Sequence, residues 1–208
     1  MTTNDSKKHL TPDYDSRSVG KDAPEMWQNE IKFIENTLVH MAKHHECLNV
    51  LEWGSGKGTV YFAKFLQKEN VRFRWIAIEH FVPWYEKVMA MLKEHRLSGR
   101  VECFLKSATY EEDKNIQETL DLDDYINFPS TLGIQFDFVL VDGRRRKECL
   151  EKAKGILSPD GVVILHDAER PWYHEGCKHY ANGGEFVTAN LTPAAWGGVQ
   201  KLWIGRVT

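Results

Sequence analysis

The feature that most narrows what this chain can fold into is a short apolar strand running straight into alternating glycines. Asn49-Val50-Leu51-Glu52 is followed by Trp53-Gly54-Ser55-Gly56-Lys57-Gly58-Thr59, and then by a helical pattern from Val60 to Lys68 with Phe62, Phe65 and Leu66 facing inward. Glycines at alternate positions let a backbone turn sharply and approach a ligand without Cβ interference. In an open α/β sheet, ligands bind beyond the carboxyl ends of the strands, where such a loop lies.

The rest of the chain repeats the alternation. Arg74–Ile78, Val101–Leu105, Phe136–Val141 and Val162–Leu165 read as further strands, and Pro83–Glu94 and Glu148–Leu157 as the helices between them. A Ser158-Pro159-Asp160-Gly161 turn follows the second of these helices. Glu185-Phe186-Val187 and Lys201-Leu202-Trp203-Ile204 are two more strand candidates. Ahead of the first strand, Trp27, Ile31, Ile34, Leu38 and Met41 recur at helical spacing, with Asp22 and Glu25 placed as a capping box. Strands alternating with helices predict an open, mostly parallel, doubly wound sheet with helices on both faces. Residues 1–21 are polar and turn-rich and read as a flexible arm or lid; 22–208 read as one domain. Residues 107–134 read as an acidic, less regular and partly helical stretch, and 109–134 together with the N-terminal arm as the substrate-specific insertions.

Composition excludes several function classes. A formal net charge of −3 gives no electrostatic case for nucleic acid or an anionic membrane. No stretch approaches the roughly 18–20 apolar residues that a membrane span needs. The four cysteines, Cys47, Cys103, Cys149 and Cys177, form no CxxC pair. Reduced thiols and a cytoplasmic location are therefore expected, without a disulfide framework or structural zinc. Oligomeric state is not readable.

Glu79 ends the second strand, 21 residues beyond Gly58. A carboxylate there can accept hydrogen bonds from both hydroxyls of a ribose. The fourth strand ends in Val141-Asp142-Gly143, followed by Arg144-Arg145-Arg146-Lys147, and the fifth in His166-Asp167-Ala168-Glu169-Arg170. Polar groups directly after long apolar strands converge on the sheet's carboxyl edge, the place of a pocket. Asp142, His166 and Asp167 are the candidate catalytic residues, with His166 or Asp167 as general base. Asp142 and Asp167 at adjacent strand ends could also hold one Mg²⁺-like ion through oxygen. Arg144 and Arg170 are candidates for clamping an anionic group on a substrate, and Tyr173 for stacking on one. Arg145, Arg146 and Lys147 read as a solvated basic turn. The Ala194-Ala195-Trp196-Gly197-Gly198 turn is a second aromatic wall candidate.

The pattern E-x-G-x-G-x-G over Glu52–Gly58 differs from the dinucleotide fingerprint G-x-G-x-x-G. It resembles the first motif of the class I S-adenosylmethionine-dependent methyltransferases. That resemblance extends over the element order from about residue 22 to 206. It implies a Rossmann-like, seven-stranded sheet with an antiparallel last strand near Val199–Gly205. It also implies an S-adenosylmethionine site made by Glu52, Gly54, Ser55, Gly56, Gly58, Thr59, Glu79, His80, Ser107, Ala108 and Asp142. Val141-Asp142-Gly143 and His166-Asp167-Ala168-Glu169-Arg170 are similar to segments of bacterial methyltransferase-like proteins and the plant glucuronoxylan 4-O-methyltransferases. From that branch comes the expectation of a sugar or other small-molecule hydroxyl as acceptor. Catechol-type O-methyltransferases place an Asn directly after the second carboxylate, where this chain has Ala168. Methylation of a small-molecule nitrogen, a nicotinamide-dependent oxidoreductase and a non-catalytic cofactor-binding module on the same fold remain as alternatives.

Overall fold

The apolar runs fold as strands: Leu48–Trp53 (β1), Phe73–Phe81 (β2), Val101–Thr109 (β3), Phe136–Val141 (β4), Leu157–Leu165 (β5), Glu185–Pro193 (β6) and Val199–Arg206 (β7). Between them lie helices Gln28–Ala42 (α1), Lys57–Lys68 (α2), Val82–Glu94 (α3), Asp123–Asn127 (α4), Arg146–Lys154 (α5) and His174–Cys177 (α6). The computed structural model describes residues 23–110, 120–193 and 199–207. The N-terminal arm, Asp22 and the 194–198 turn lie outside the described residues.

The seven strands form one sheet in the order β3-β2-β1-β4-β5-β7-β6. The first five in that order pair in parallel, whereas β7 runs antiparallel to both β5 and β6. This is the Rossmann-like, doubly wound architecture expected, with the last strand reversed. No described helix is long and apolar enough to cross a membrane.

The period-2 alternation of buried strands divides the core in two. Val50, Trp75, Ala77, Phe138, Leu140 and Ile164 pack on one face with α1, α2 and α3. Leu51, Ile76, Ile78, Val139, Val141 and Val163 pack on the other with α4 and α5. Both faces are covered, so the sheet exposes functional groups at its carboxyl edge rather than on a face.

Two boundaries differ from the sequence pattern. Helix α1 starts at Gln28 rather than near Asp22. Trp27 is extended, and its backbone N–H donates to Glu30 Oε2 at 2.8 Å, closing the cap five residues later than the Asp22–Glu25 pair implied. The second difference lies in β5, which begins at Leu157 and absorbs the Ser158–Gly161 turn. Leu157 pairs with Phe136, and a register shift before Phe138 takes up the extra residues.

The β1 and β4 loops touch through backbone alone. Gly54 has φ +93°, and a Cβ on it would lie 2.3 Å from Gly143 Cα. Its N–H donates to Ile78 O at 2.9 Å, while Asp142 N–H donates to Trp53 O at 2.9 Å. Glycine is therefore required at 54 both by conformation and by space. Gly54→Ala is expected to lower stability by about 2–5 kcal/mol in urea denaturation. Gly133→Ala has φ +63° and open space around its Cβ, so it costs only about 1–2 kcal/mol. Equal effects would contradict the close approach.

Candidate active site

Glu52, at the end of β1, is 1% exposed. It accepts hydrogen bonds from Thr59 Oγ1 at 2.7 Å and from Trp75 Nε1 at 2.9 Å. Thr59 Oγ1 in turn accepts from Gly56 N–H at 2.8 Å. One buried carboxyl thus holds the glycine loop against the start of α2. Burial pushes the Glu52 carboxyl up to about 8; the Asp142 and Glu79 charges add to this, and the Thr59 and Trp75 hydrogen bonds oppose it.

Glu79, near the end of β2, is buried at the same edge. Its Oε1 accepts from the backbone N–H groups of His80 (2.8 Å) and Phe81 (3.0 Å), and its Oε2 from Ser55 Oγ at 3.1 Å. Trp84 Nε1 donates to Ser55 O at 2.6 Å, which ties α3 to the loop. His80 is buried, its ring edge-on to Tyr125 with centroids 5.5 Å apart. Ser107 accepts from Tyr125 N–H at 3.3 Å. Ser107 and Ala108 form one wall of an open cleft of about 400 Å³, which Leu120 to Asp124 close on the other side.

The ends of β4 and β5 meet around a buried guanidinium. Arg146 is 5% exposed. Its Nε donates to Gly143 O at 2.8 Å, and its terminal nitrogens donate to Asp142 O at 3.0 Å and to His166 O at 2.5 Å. The same nitrogens lie 3.3 Å from Asp142 Oδ1 and 3.3 Å from Asp167 Oδ2. The Tyr173 ring lies 5.3 Å from the guanidinium carbon. Arg170 reaches Asp167 Oδ2 at 3.1 Å. Burial works against the charged guanidinium, but the carboxylates of Asp142 and Asp167 outweigh it and hold Arg146 above its ordinary value. Burial would likewise raise Asp167, but His166, Arg146 and Arg170 together bring it down to about 2.

His166 Nδ1 sits 2.8 Å from Asp142 Oδ1 and 3.9 Å from Asp167 Oδ1, and its Nε2 lies 3.5 Å from Glu30 Oε2 of α1. Burial alone would lower the imidazole; the Asp142 and Asp167 charges overcome it and hold His166 well above its ordinary value. Of the cluster's carboxylates, Asp142 is the most open: its side chain is 26% exposed, against 13% for Asp167 and 0% for Glu30.

A family model described as a methyltransferase domain matches residues 51–168, a span running from Glu52 and the glycine loop through the Asp142–His166 cluster. The chain belongs to this methyltransferase-domain family. No sequence among the curated proteins matches it. Among solved structures, it is similar to an O-methyltransferase of tomaymycin synthesis from Streptomyces achromogenes, crystallised with SAM. That pair has a TM-score of 0.58 and 16% identity, covering 87% of each chain. It is similar also to an O-methyltransferase from Bacillus cereus in complex with SAH (TM-score 0.59, 14% identity, 93% of this chain and 84% of that one). A precorrin-8w decarboxylase from Methanobacterium thermoautotrophicum matches too, with a TM-score of 0.54 and 16% identity over 84% of this chain and 90% of that one. At these identities the likeness is one of fold.

In this methyltransferase the structure brings Glu52, Gly54, Ser55, Gly56, Gly58, Thr59, Glu79, Asp142, His166 and Asp167 to the carboxyl edge of the sheet. Two readings of the sequence need correction. Arg146 is not part of a solvated basic turn; only Lys147 of that run is exposed. Tyr173 is 6% exposed beneath Arg146 and supports the guanidinium, whereas its neighbour Trp172, 48% exposed, faces solvent. Arg170 is committed to Asp167, and Arg144 is half-buried between strand and helix.

Glu30 escaped the sequence reading altogether. A signal existed for both missed groups: Glu30 stands four residues before Ile34 on the apolar stripe of α1, and Arg146 four before Leu150 on that of α5. A charge on the buried stripe of a helix marks an internal partner.

Two outcomes test this geometry. Removing Arg146 leaves two carboxylates without their counter-ion, so Arg146→Met should cost about 3–5 kcal/mol in urea denaturation; a loss under about 1 kcal/mol would return it to the solvent. For Glu52, the folded value near 8 lies above the ordinary 4.5. The folded chain therefore keeps a proton that the unfolded chain releases, and stability falls as pH rises through that window. Glu52→Gln should melt with the parent near pH 4 and above it near pH 8.5. Parallel melting curves at both values would contradict a buried, proton-holding Glu52.

Proposed function

We propose that this methyltransferase transfers a methyl group from S-adenosylmethionine to a hydroxyl of a small molecule, with a sugar as the first acceptor class to try. The carrying observation is that Asp142 touches both halves of the edge. Its backbone packs on Gly54 of the glycine loop, and its partly exposed carboxylate pairs with His166.

Residues of the glycine loop and β2 suit the cofactor. Glu79 is oriented by two backbone N–H groups and one hydroxyl, and it keeps acceptor capacity for ribose hydroxyls. Gly54 and Gly143 bring two backbones together where a side chain would intrude. We assign the adenine to the side of Ser107, Ala108 and His80, as the resemblance to the class I methyltransferases implies. S-adenosylmethionine supplies an already activated methyl group, so the protein's own tasks are to align the acceptor oxygen and receive its proton.

Asp142 is our candidate to take that proton, being the cluster's open carboxylate. The Asp142 and Asp167 charges raise His166 above its ordinary value, which suits it less as the base than as a hydrogen-bond donor standing behind Asp142. Asp167, brought down to about 2, serves as a structural counter-ion. A divalent ion is a poorer reading. Asp142, His166 and Asp167 offer ligand atoms within 4.8 Å of one another. Arg146 and Arg170 already supply positive charge to both carboxylates, and the ring nitrogen that would ligate is bonded to Asp142. No step is assigned to a metal. The exposed Trp172, just past the end of β5, offers an aromatic face to an acceptor ring.

Calorimetry with S-adenosylmethionine or its demethylated product tests the cofactor half. Glu79→Ala should weaken binding by about tenfold to a hundredfold, the loss of one or two hydrogen bonds to a charged group. Turnover of labelled cofactor against a panel of sugar and phenolic hydroxyls tests the rest. Asp142→Asn should lower the rate by about 10²–10⁴-fold, while a chelator leaves it unchanged. Absence of cofactor binding by the wild-type chain contradicts the proposal outright.

A further inference from the structure

Helix α1 is not among the elements that carry the glycine loop or the strand ends, yet it delivers a carboxylate to the site. Glu30 is 0% exposed. Its Oε2 accepts from Trp27 N–H at 2.8 Å and lies 3.5 Å from His166 Nε2. Its Oε1 is buried and has no hydrogen-bond partner among the described residues. A carboxylate buried this completely costs several kcal/mol unless a cation stands beside it. Helix capping alone does not call for that cost, because a Glu at the third helical position caps equally well when facing water.

The geometry of the imidazole shows what Glu30 provides. A histidine ring has two distinct nitrogens, and the partner of one decides how the other is presented. Here Nδ1 meets Asp142 Oδ1 at 2.8 Å and Nε2 faces Glu30. Rotating the ring by half a turn would point carbon atoms at both carboxylates. Held between them, the ring has one orientation that turns a nitrogen toward each carboxylate, Nδ1 within hydrogen-bond distance of Asp142 and the buried Nε2 facing Glu30 Oε2 at 3.5 Å without a hydrogen bond of its own.

We propose that Glu30 is a positioning residue: it holds the His166 ring so that Nδ1 keeps donating to Asp142, the carboxylate that faces the acceptor. The assignment rests on the methyl-transfer reading for its purpose, but its geometry can be tested without cofactor or acceptor. The first turn of α1 then belongs to the catalytic edge. The segment just ahead of it is also tied to the glycine loop, since Glu25 Oε1 lies 3.7 Å from Lys57 Nζ at the start of α2.

The test uses the full chain at pH 7, with the ring protons of His166 followed by ¹H–¹⁵N NMR and assigned by their loss in His166→Asn. The wild type should show a downfield Nδ1 proton and a second, slowly exchanging Nε2 proton. In Glu30→Ala the Nε2 proton should exchange at least about tenfold faster and the Nδ1 signal should broaden, as the ring samples more than one orientation. Glu30→Gln guards against a misfolded Ala variant. Its amide oxygen still accepts from Trp27 N–H, so the fold should persist while the Nε2 proton moves upfield against a neutral partner. His166 signals unchanged in a folded Glu30→Gln or Glu30→Ala protein would overturn the assignment. Affinity for S-adenosylhomocysteine, measured on the same samples, should change less than about threefold. A wild type that binds none would sink the methyl-transfer reading and leave the Glu30–His166 result standing by itself.

Discussion

The functional edge depends on one buried guanidinium. Two carboxylates, Asp142 and Asp167, stand at neighbouring strand ends together with the imidazole of His166, all largely removed from water. Left to themselves, Asp142 and Asp167 would repel each other and drive apart the loops that carry them. Arg146 lies between them and bonds to the carbonyls of Asp142, Gly143 and His166 as well as to both side chains. A planar fork of donors can satisfy that many acceptors in one geometry, which a lysine ammonium cannot. The ends of β4 and β5 are therefore held together by charge as well as by the strand ladder. Asp142 is left with an orientation that faces outward.

The sheet makes this arrangement affordable. Its central strands are buried on both faces, so the ends of β1, β4 and β5 emerge from a rigid, close-packed layer. Three of those ends converge: β1 with the glycine loop, β4 with Asp142 and β5 with His166. The backbone contact between Gly54 and Gly143 brings the first two within van der Waals distance. Glu52 plays at the loop the part that Arg146 plays at the cluster. It is a buried charged-type group whose partners, Thr59 and Trp75, come from two different elements.

Much of this was legible before any coordinates. The strand–helix alternation and the covered faces follow from short apolar runs separated by helical patterns, whereas the reversed last strand came only with the resemblance to the class I methyltransferases. The Glu52–Gly58 loop and Glu79 stand where their spacing placed them. What escaped the sequence was the inside of the cluster. Arg146 sits in a run of four basic residues, and composition favours solvent for such a run; only its place on the apolar stripe of α5 distinguishes it from Lys147. Glu30 lies more than a hundred residues from His166 in the chain, and no local pattern links them. Tyr173 failed for the opposite reason: an aromatic just past a strand end resembles a pocket wall, but the neighbouring cation drew it inward.

Methyl transfer at this edge requires a single arrangement, in which a nucleoside held at Glu79 presents its sulfur toward Asp142. A crystal structure of the chain with S-adenosylhomocysteine tests this most directly. Both ribose hydroxyls should lie within hydrogen-bonding distance of the Glu79 carboxylate, the adenine beside Ser107 and Ala108, and the sulfur on the Asp142 side of Gly54. A nucleoside lodged elsewhere, with Glu79 still accepting only from Ser55 and its His80 and Phe81 neighbours, would contradict that arrangement.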